Sequence, residues 1–184
     1  MEFILTESEF NEDNTAWNGN RFLMGNGYFG IRGTLEEYTK KQMCAVNMAG
    51  IYDKMGNSWR ESVNAPNPLY TYIKVNGKIY ALPDEKPKFH QQELDFRYGI
   101  HSRVTHWQTE HGNITVVCER FASIARQHNI AMKYTFSVDF DCEAEIITGI
   151  DGDVWDINGP HFVKMKIGSK DGADYVTGIT GEKN

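Results

Sequence analysis

An antiparallel all-β sandwich is the fold this sequence predicts, on three observations. Short stretches alternate apolar and polar residues with a period of two. Clusters of Gly, Asp and Asn separate these stretches at regular spacing. No long 3.6-residue apolar period runs between capping signals, and glycines interrupt the one candidate stretch, Lys40 to Gly50, so helix is expected to be minor.

The elements follow in order. Leu69 to Tyr80 runs through Asn76-Gly77, a pair suited to positive φ at both central positions, and predicts a two-residue β-hairpin. Ser102 to Thr109 and Ile114 to Ile124 flank His111-Gly112-Asn113 and predict a second. Ile130, Met132, Tyr134, Phe136 and Val138 alternate with smaller or polar residues, which places one apolar row on one face of a strand. Further alternating runs cover Glu143 to Ile150, His161 to Ile167 and Ala173 to Ile179, with the spacing of a meander. Asn64 to Pro68 and Leu82 to Pro87 read as irregular connections too short to link domains, so residues 1–184 are expected to form one domain.

Composition bounds the function. Of 184 residues, 40% are hydrophobic, enough for one sizeable core. With 19 Lys and Arg against 25 Asp and Glu, the formal net charge is -6, so no basic field favours nucleic acid or an anionic membrane. No apolar run approaches the roughly 20 residues of a membrane span. The acidic opening Met1 to Glu12 lacks the pattern of a signal peptide, and the expectation is a cytoplasmic protein. Cys44, Cys118 and Cys142 are odd in number and far apart, which fits a reducing compartment and gives no disulfide framework. The sequon Asn113-Ile114-Thr115 carries no weight without a secretory signal.

Each motif has a plain structural explanation. Gly25 to Gly30 matches G-x-G-x-x-G, but Gly33 falls where a helix would be running and no βαβ pattern surrounds it. A strand whose glycines admit another backbone or a packed aromatic fits better. His101, His106 and His111 recur every five residues, which on strands sends neighbours to opposite faces, and no Cys or carboxylate lies beside them at ligand spacing. No metal site is expected, and no serine sits in a nucleophile elbow. Glycoside cleavage needs an acid in a cleft, for which Glu36, Glu37, Asp151 and Asp153 are candidates. Glu36 and Glu37, adjacent on a strand, would face opposite ways, and Asp151-Gly152-Asp153 has the composition of a turn. Trp17, Trp59, Trp107 and Trp155 could stack on sugars, but most are expected in the core.

The segment from Arg21 to Glu37, RFLMGNGYFGIRGTLEE, resembles the N-terminal signature of glycoside hydrolase family 65, the maltose, kojibiose and trehalose phosphorylases. Ala49 to Asp53, Leu94 to Arg97, Glu119 to Ser123, and Asp151-Gly152 with Asn158 to His161 are similar to later blocks of the same domain, in the same order. The resemblance implies a large antiparallel sandwich of the supersandwich, galactose-mutarotase-like kind, preceding an (α/α)6 catalytic barrel that this chain lacks. It also implies a disaccharide substrate, inversion, inorganic phosphate as co-substrate with no other cofactor, and a general-acid glutamate in the barrel. No catalytic residue is therefore assigned to this chain, which is expected to be inactive alone and to stop inside or near the sandwich.

Its expected partners are its own missing catalytic domain and, through the parent, the disaccharide; homo-oligomeric assembly is left open. Two alternatives stand beside this one. One is a stand-alone carbohydrate-binding module using Trp59 or Trp155, the other the same domain from a family 65 hydrolase. Read as a strand, Gly25 to Glu37 puts Asn26, Tyr28 and Arg32 on one face and Gly25, Gly27, Phe29 and Ile31 on the other. Asn26, Tyr28, Arg32 and Glu36 are accordingly the candidate residues for a domain interface or a substrate rim.

Overall fold

The computed structural model describes residues 3–182, with 53% of these residues in strands and 7% in helices. In chain order these are β1 (Ile4–Glu7), α1 (Thr15–Arg21), β2 (Met24–Gly25), β3 (Phe29–Ile31), β4 (Val46–Lys54) and β5 (Arg60–Asn64). There follow β6 (Asn67–Val75), β7 (Lys78–Tyr80), β8 (Phe89–Asp95), β9 (Ile100–Gln108) and β10 (Asn113–Ala122). The last four are β11 (Ile130–Val138), β12 (Ala144–Asp151), β13 (Phe162–Lys170) and β14 (Ala173–Thr180). Single 3-10 turns lie at Glu12–Asn14 and Lys40–Gln42.

The strands pair antiparallel throughout, in the orders β1-β8-β9-β10-β11, β2-β3-β4-β5, β12-β6-β7 and β13-β14. The five-stranded sheet is one layer of the sandwich. Ile73 and Val75 of β6 pack against Trp107, Ile114 and Val116 of β9 and β10 in one apolar cluster. Met24, Ile31, Val46 and Leu69 meet Leu94 of β8 in a second cluster. Ile73, Ile114 and Val116 are wholly buried, and each contributes about 1.5–3 kcal/mol through area removed from water.

Both foreseen hairpins form. Asn76 and Gly77 have φ of 49° and 78°, the left-handed pair such a loop requires, and Gly112, at φ 148°, turns β9 into β10. β11 occupies Ile130–Val138 with its apolar row half-buried against the core. The meander, however, ends there. β12 leaves the five-stranded sheet and pairs with β6, from Ala144 opposite Val75 to Asp151 opposite Asn67. That pairing also draws Asn67 and Pro68 into β6, where an irregular connection was expected.

The G-x-G-x-x-G segment is a tight hairpin between β2 and β3 rather than one strand. Gly27 has φ 86° at its tip. Gly33, beyond it, lies so close to Phe22 that a β-carbon there would come within 2.3 Å of the Phe22 β-carbon. Of the four tryptophans, Trp107 is in the core, whereas Trp17 and Trp59 are more than 60% exposed.

Candidate functional site

The four candidate residues lie in three different places. Asn26 sits in the β2-β3 turn, where its Oδ1 accepts from the backbone N–H of Tyr28 (3.0 Å) and Phe29 (2.7 Å). Its Nδ2 donates to the carbonyls of Ser123 (2.7 Å) and Gln127 (3.0 Å), so one side chain shapes its own turn and holds the β10-β11 loop. The Tyr28 ring lies 4.3 Å from that of His128 on the same loop. The loop also walls a groove of about 530 Å³, flanked by Leu23, Phe96, Tyr98 and Ile124. All four of these side chains are exposed.

Arg32 leaves that end of the hairpin. Its Nη2 donates to the Ala16 carbonyl (2.7 Å) and its guanidinium covers Gly19, where a β-carbon would come within 2.6 Å of Nη2. It therefore pins α1 to the hairpin, and the shared face expected for Asn26, Tyr28 and Arg32 does not form, because the turn breaks the alternation.

Glu36 is in neither place. It and Glu37 occupy a turn, not a strand, and both side chains enter the interior. Arg103 forks onto Glu37 (2.9 and 2.6 Å), and its Nε lies 2.9 Å from Glu36 Oε2, an ion-pair contact without hydrogen-bond alignment. Arg120 Nη1 donates to Glu36 (2.8 Å) and its Nη2 to the Thr34 carbonyl. Two cations and two anions thus neutralise one another with almost no exposure. Burial opposes the Glu36 charge, but Arg103 and Arg120 outweigh it and hold the acid below its usual range. Burial pushes Glu37 up against the pull of Arg103. A substrate rim needs an accessible side chain, and within the described residues Glu36 has none to offer.

A second charged cluster joins parts of the chain that sequence spacing did not connect. His161, wholly buried, faces Asp53 Oδ2 through Nδ1 (3.0 Å) and Glu61 Oε1 through Nε2 (2.7 Å). Asp53 and Glu61 are opposite one another on β4 and β5. Asp53 accepts from the backbone N–H of Glu182 (2.9 Å), and Glu61 accepts from the backbone and side chain of Asn158, both at 2.8 Å. Asp156 receives the Asn64 N–H (3.2 Å). One ligand-type atom each from Glu61, Asp156 and His161 lie within 4.8 Å of one another. Burial opposes the His161 charge, yet its bonds to Glu61 and Asp53 hold it above the usual imidazole range. Burial raises the Asp156 carboxyl. Ligand spacing along the sequence does not reveal this cluster, because Glu61 and His161 stand 100 residues apart.

Fold and sites together define an antiparallel sandwich domain whose buried charged residues pair with one another. A family model described as "Glycosyl hydrolase family 65, N-terminal domain" matches residues 5–179. The chain belongs to that family. It is 51% identical over 166 residues to a nigerose phosphorylase of Lachnoclostridium phytofermentans, covering 90% of this chain and 22% of the relative. It is 37% identical to a 1,2-alpha-glucosylglycerol phosphorylase of Bacillus selenitireducens, over 88% of this chain and 21% of the relative. A kojibiose phosphorylase of Halothermothrix orenii is 32% identical over 98% of this chain and 24% of its own length. The chain thus spans about a fifth to a quarter of these relatives. A solved structure of a human-microbiome protein shares the fold, with TM-score 0.79 and 21% identity over 90% of this chain and 24% of that one.

Proposed function

We propose that this chain is the N-terminal, non-catalytic domain of a disaccharide phosphorylase that cleaves an α-glucoside with inorganic phosphate and inversion of configuration. The observation that carries this reading is the match of residues 5–179 to the N-terminal domain of a family whose similar members are named as phosphorylases. In such a reaction phosphate takes the place of the base-activated water of an inverting hydrolase, and one carboxylic acid protonates the leaving oxygen. The acid belongs to the remainder of the polypeptide. Here Glu36 and Glu37 are locked to arginines, and Asp151 accepts the Asp153 N–H (2.9 Å) as a turn residue does.

The role of the chain is then architectural. It presents the Asn26-Tyr28 turn, the groove walled by the β10-β11 loop, and the exposed strands β12, β13 and β14, with the remaining polypeptide as the occupant. The four-fifths of the relatives' length outside the match gives that occupant its source. No cofactor beyond phosphate, a cytoplasmic setting and assembly of the parent into an oligomer belong to the same proposal. Among the described residues no helix is long and apolar enough to cross a membrane.

The test is an assay of the longer parent polypeptide against nigerose, kojibiose, maltose and trehalose, with and without phosphate, beside the 184-residue chain. Phosphate-dependent release of a glucose 1-phosphate by the parent, and none by the chain, is expected. Phosphate-independent hydrolysis, or turnover by the chain alone, overturns the reading.

A further inference from the structure

We propose that Glu61, Asp156 and His161 bind one divalent cation of the zinc class, tying the β4-β5 hairpin to the segment that leads into β13. The donor set is one imidazole nitrogen with two carboxylates, a combination that suits Zn2+ and leaves a position for water. Asp53 supplies what a ligating histidine needs behind it. Its carboxylate takes the Nδ1–H of His161, which fixes the tautomer and turns Nε2 toward Glu61. Asp53 is itself held by the Glu182 N–H, Glu61 by Asn158, and Asp156 by the Asn64 N–H, so the donors are oriented from outside the cluster.

Charge points the same way. The Arg103 quartet balances two cations against two anions, whereas among the described residues this cluster sets one imidazole against three carboxylates, Asp53, Glu61 and Asp156. A proton on His161 leaves two negative charges over, and a dication bound to a neutral His161 leaves one. Asp156 is part-exposed and gives an ion a way in. Tetrahedral ligands about 2 Å from zinc stand roughly 3.3 Å apart. The 2.7 Å His161-Glu61 contact must therefore open slightly, and the ion replaces the proton shared there, which passes to solvent.

Calorimetric titration of Zn2+ into the 184-residue chain at pH 7, in two buffers of different protonation enthalpy, should show one ion bound and a proton released, with a rise in Tm. Asp156→Asn keeps the oxygen that accepts from Asn64 and should weaken binding at least about tenfold while circular dichroism is unchanged. His161→Gln should abolish it. With Co2+ as the probe, the bound form should lack a sulfur-to-cobalt band. Three results overturn the proposal: no saturable uptake, uptake that both variants leave intact, or a thiolate band, which would assign the ion to a cysteine such as Cys142.

Discussion

Arg103 shows why the sequence could not reveal its most costly interaction. Glu36 and Glu37 are adjacent, and a strand reading separates them, yet a turn sends both inward to guanidinium groups carried on β9 and β10. The partners are 66 residues from Glu37 and 84 from Glu36 along the chain, so no local pattern announces them. Asn26 adds a second case: the strand reading passed over the turn chemistry of Asn26-Gly27, and the grip of Asn26 on a loop about a hundred residues away has no local sign at all. Arg103→Met would leave two buried carboxylates sharing Arg120. It should destabilise the chain by about 3–5 kcal/mol, read from the urea midpoint, because an unpaired buried charge costs far more than a surface pair contributes. Adding Glu37→Gln should restore part of that loss. A loss below about 1 kcal/mol from Arg103→Met alone would mean that the carboxylates take up protons or water easily, and that the quartet is not a major constraint.

Strands and hairpins were the most legible scale, because their signals are local. Alternation marks a half-buried strand and Asn-Gly marks its turn, so β6, β7 and β9 to β11 follow from short windows of sequence. The partner of β12 was not legible, since alternation states that a strand has two faces and not which edge it joins. α1 escaped too; with seven residues and no side-chain cap at Asn14 it stands mainly on packing, including the Arg32 contact. The β8-β9 ladder carries a pH dependence of its own. His90 and His101 are buried on these strands, and burial, with the nearby Arg103 and Arg120, holds both neutral, His90 down to about 4 and His101 well below its usual range. A depressed imidazole stabilises the fold above its unfolded value near 6.5 and loses that contribution as pH falls toward its folded value. Stability should therefore drop from about pH 6.5 to 4, by on the order of 3 kcal/mol from His90 alone. The His90→Asn variant should show a flatter pH profile in the same urea series, and an unchanged slope would remove His90 from the account.

Over the whole molecule, burial is uneven in a way that bears on what the domain is for. The inward rows of β8 to β10 are buried, whereas none of the residues of β12, β13 or β14 is. Ile146, Val163, Ile167 and Ile179 lie exposed there, Ile167 by 84%. Single exposed apolar residues are ordinary, but several on three strands consecutive in the chain fit the docking role proposed above. The relatives extend several times beyond the matched region, and the proposed occupant is that further polypeptide. Ile167→Lys separates the two situations. In the 184-residue chain the side chain is in water already, so stability should change by no more than about 0.5 kcal/mol. In the parent the same lysine would enter an apolar contact, and Tm should fall by several degrees, with the loss expected from burying a charge without a partner. A matching small effect in both proteins would return this face to solvent and shift the docking surface to the groove beside Asn26 and Tyr28.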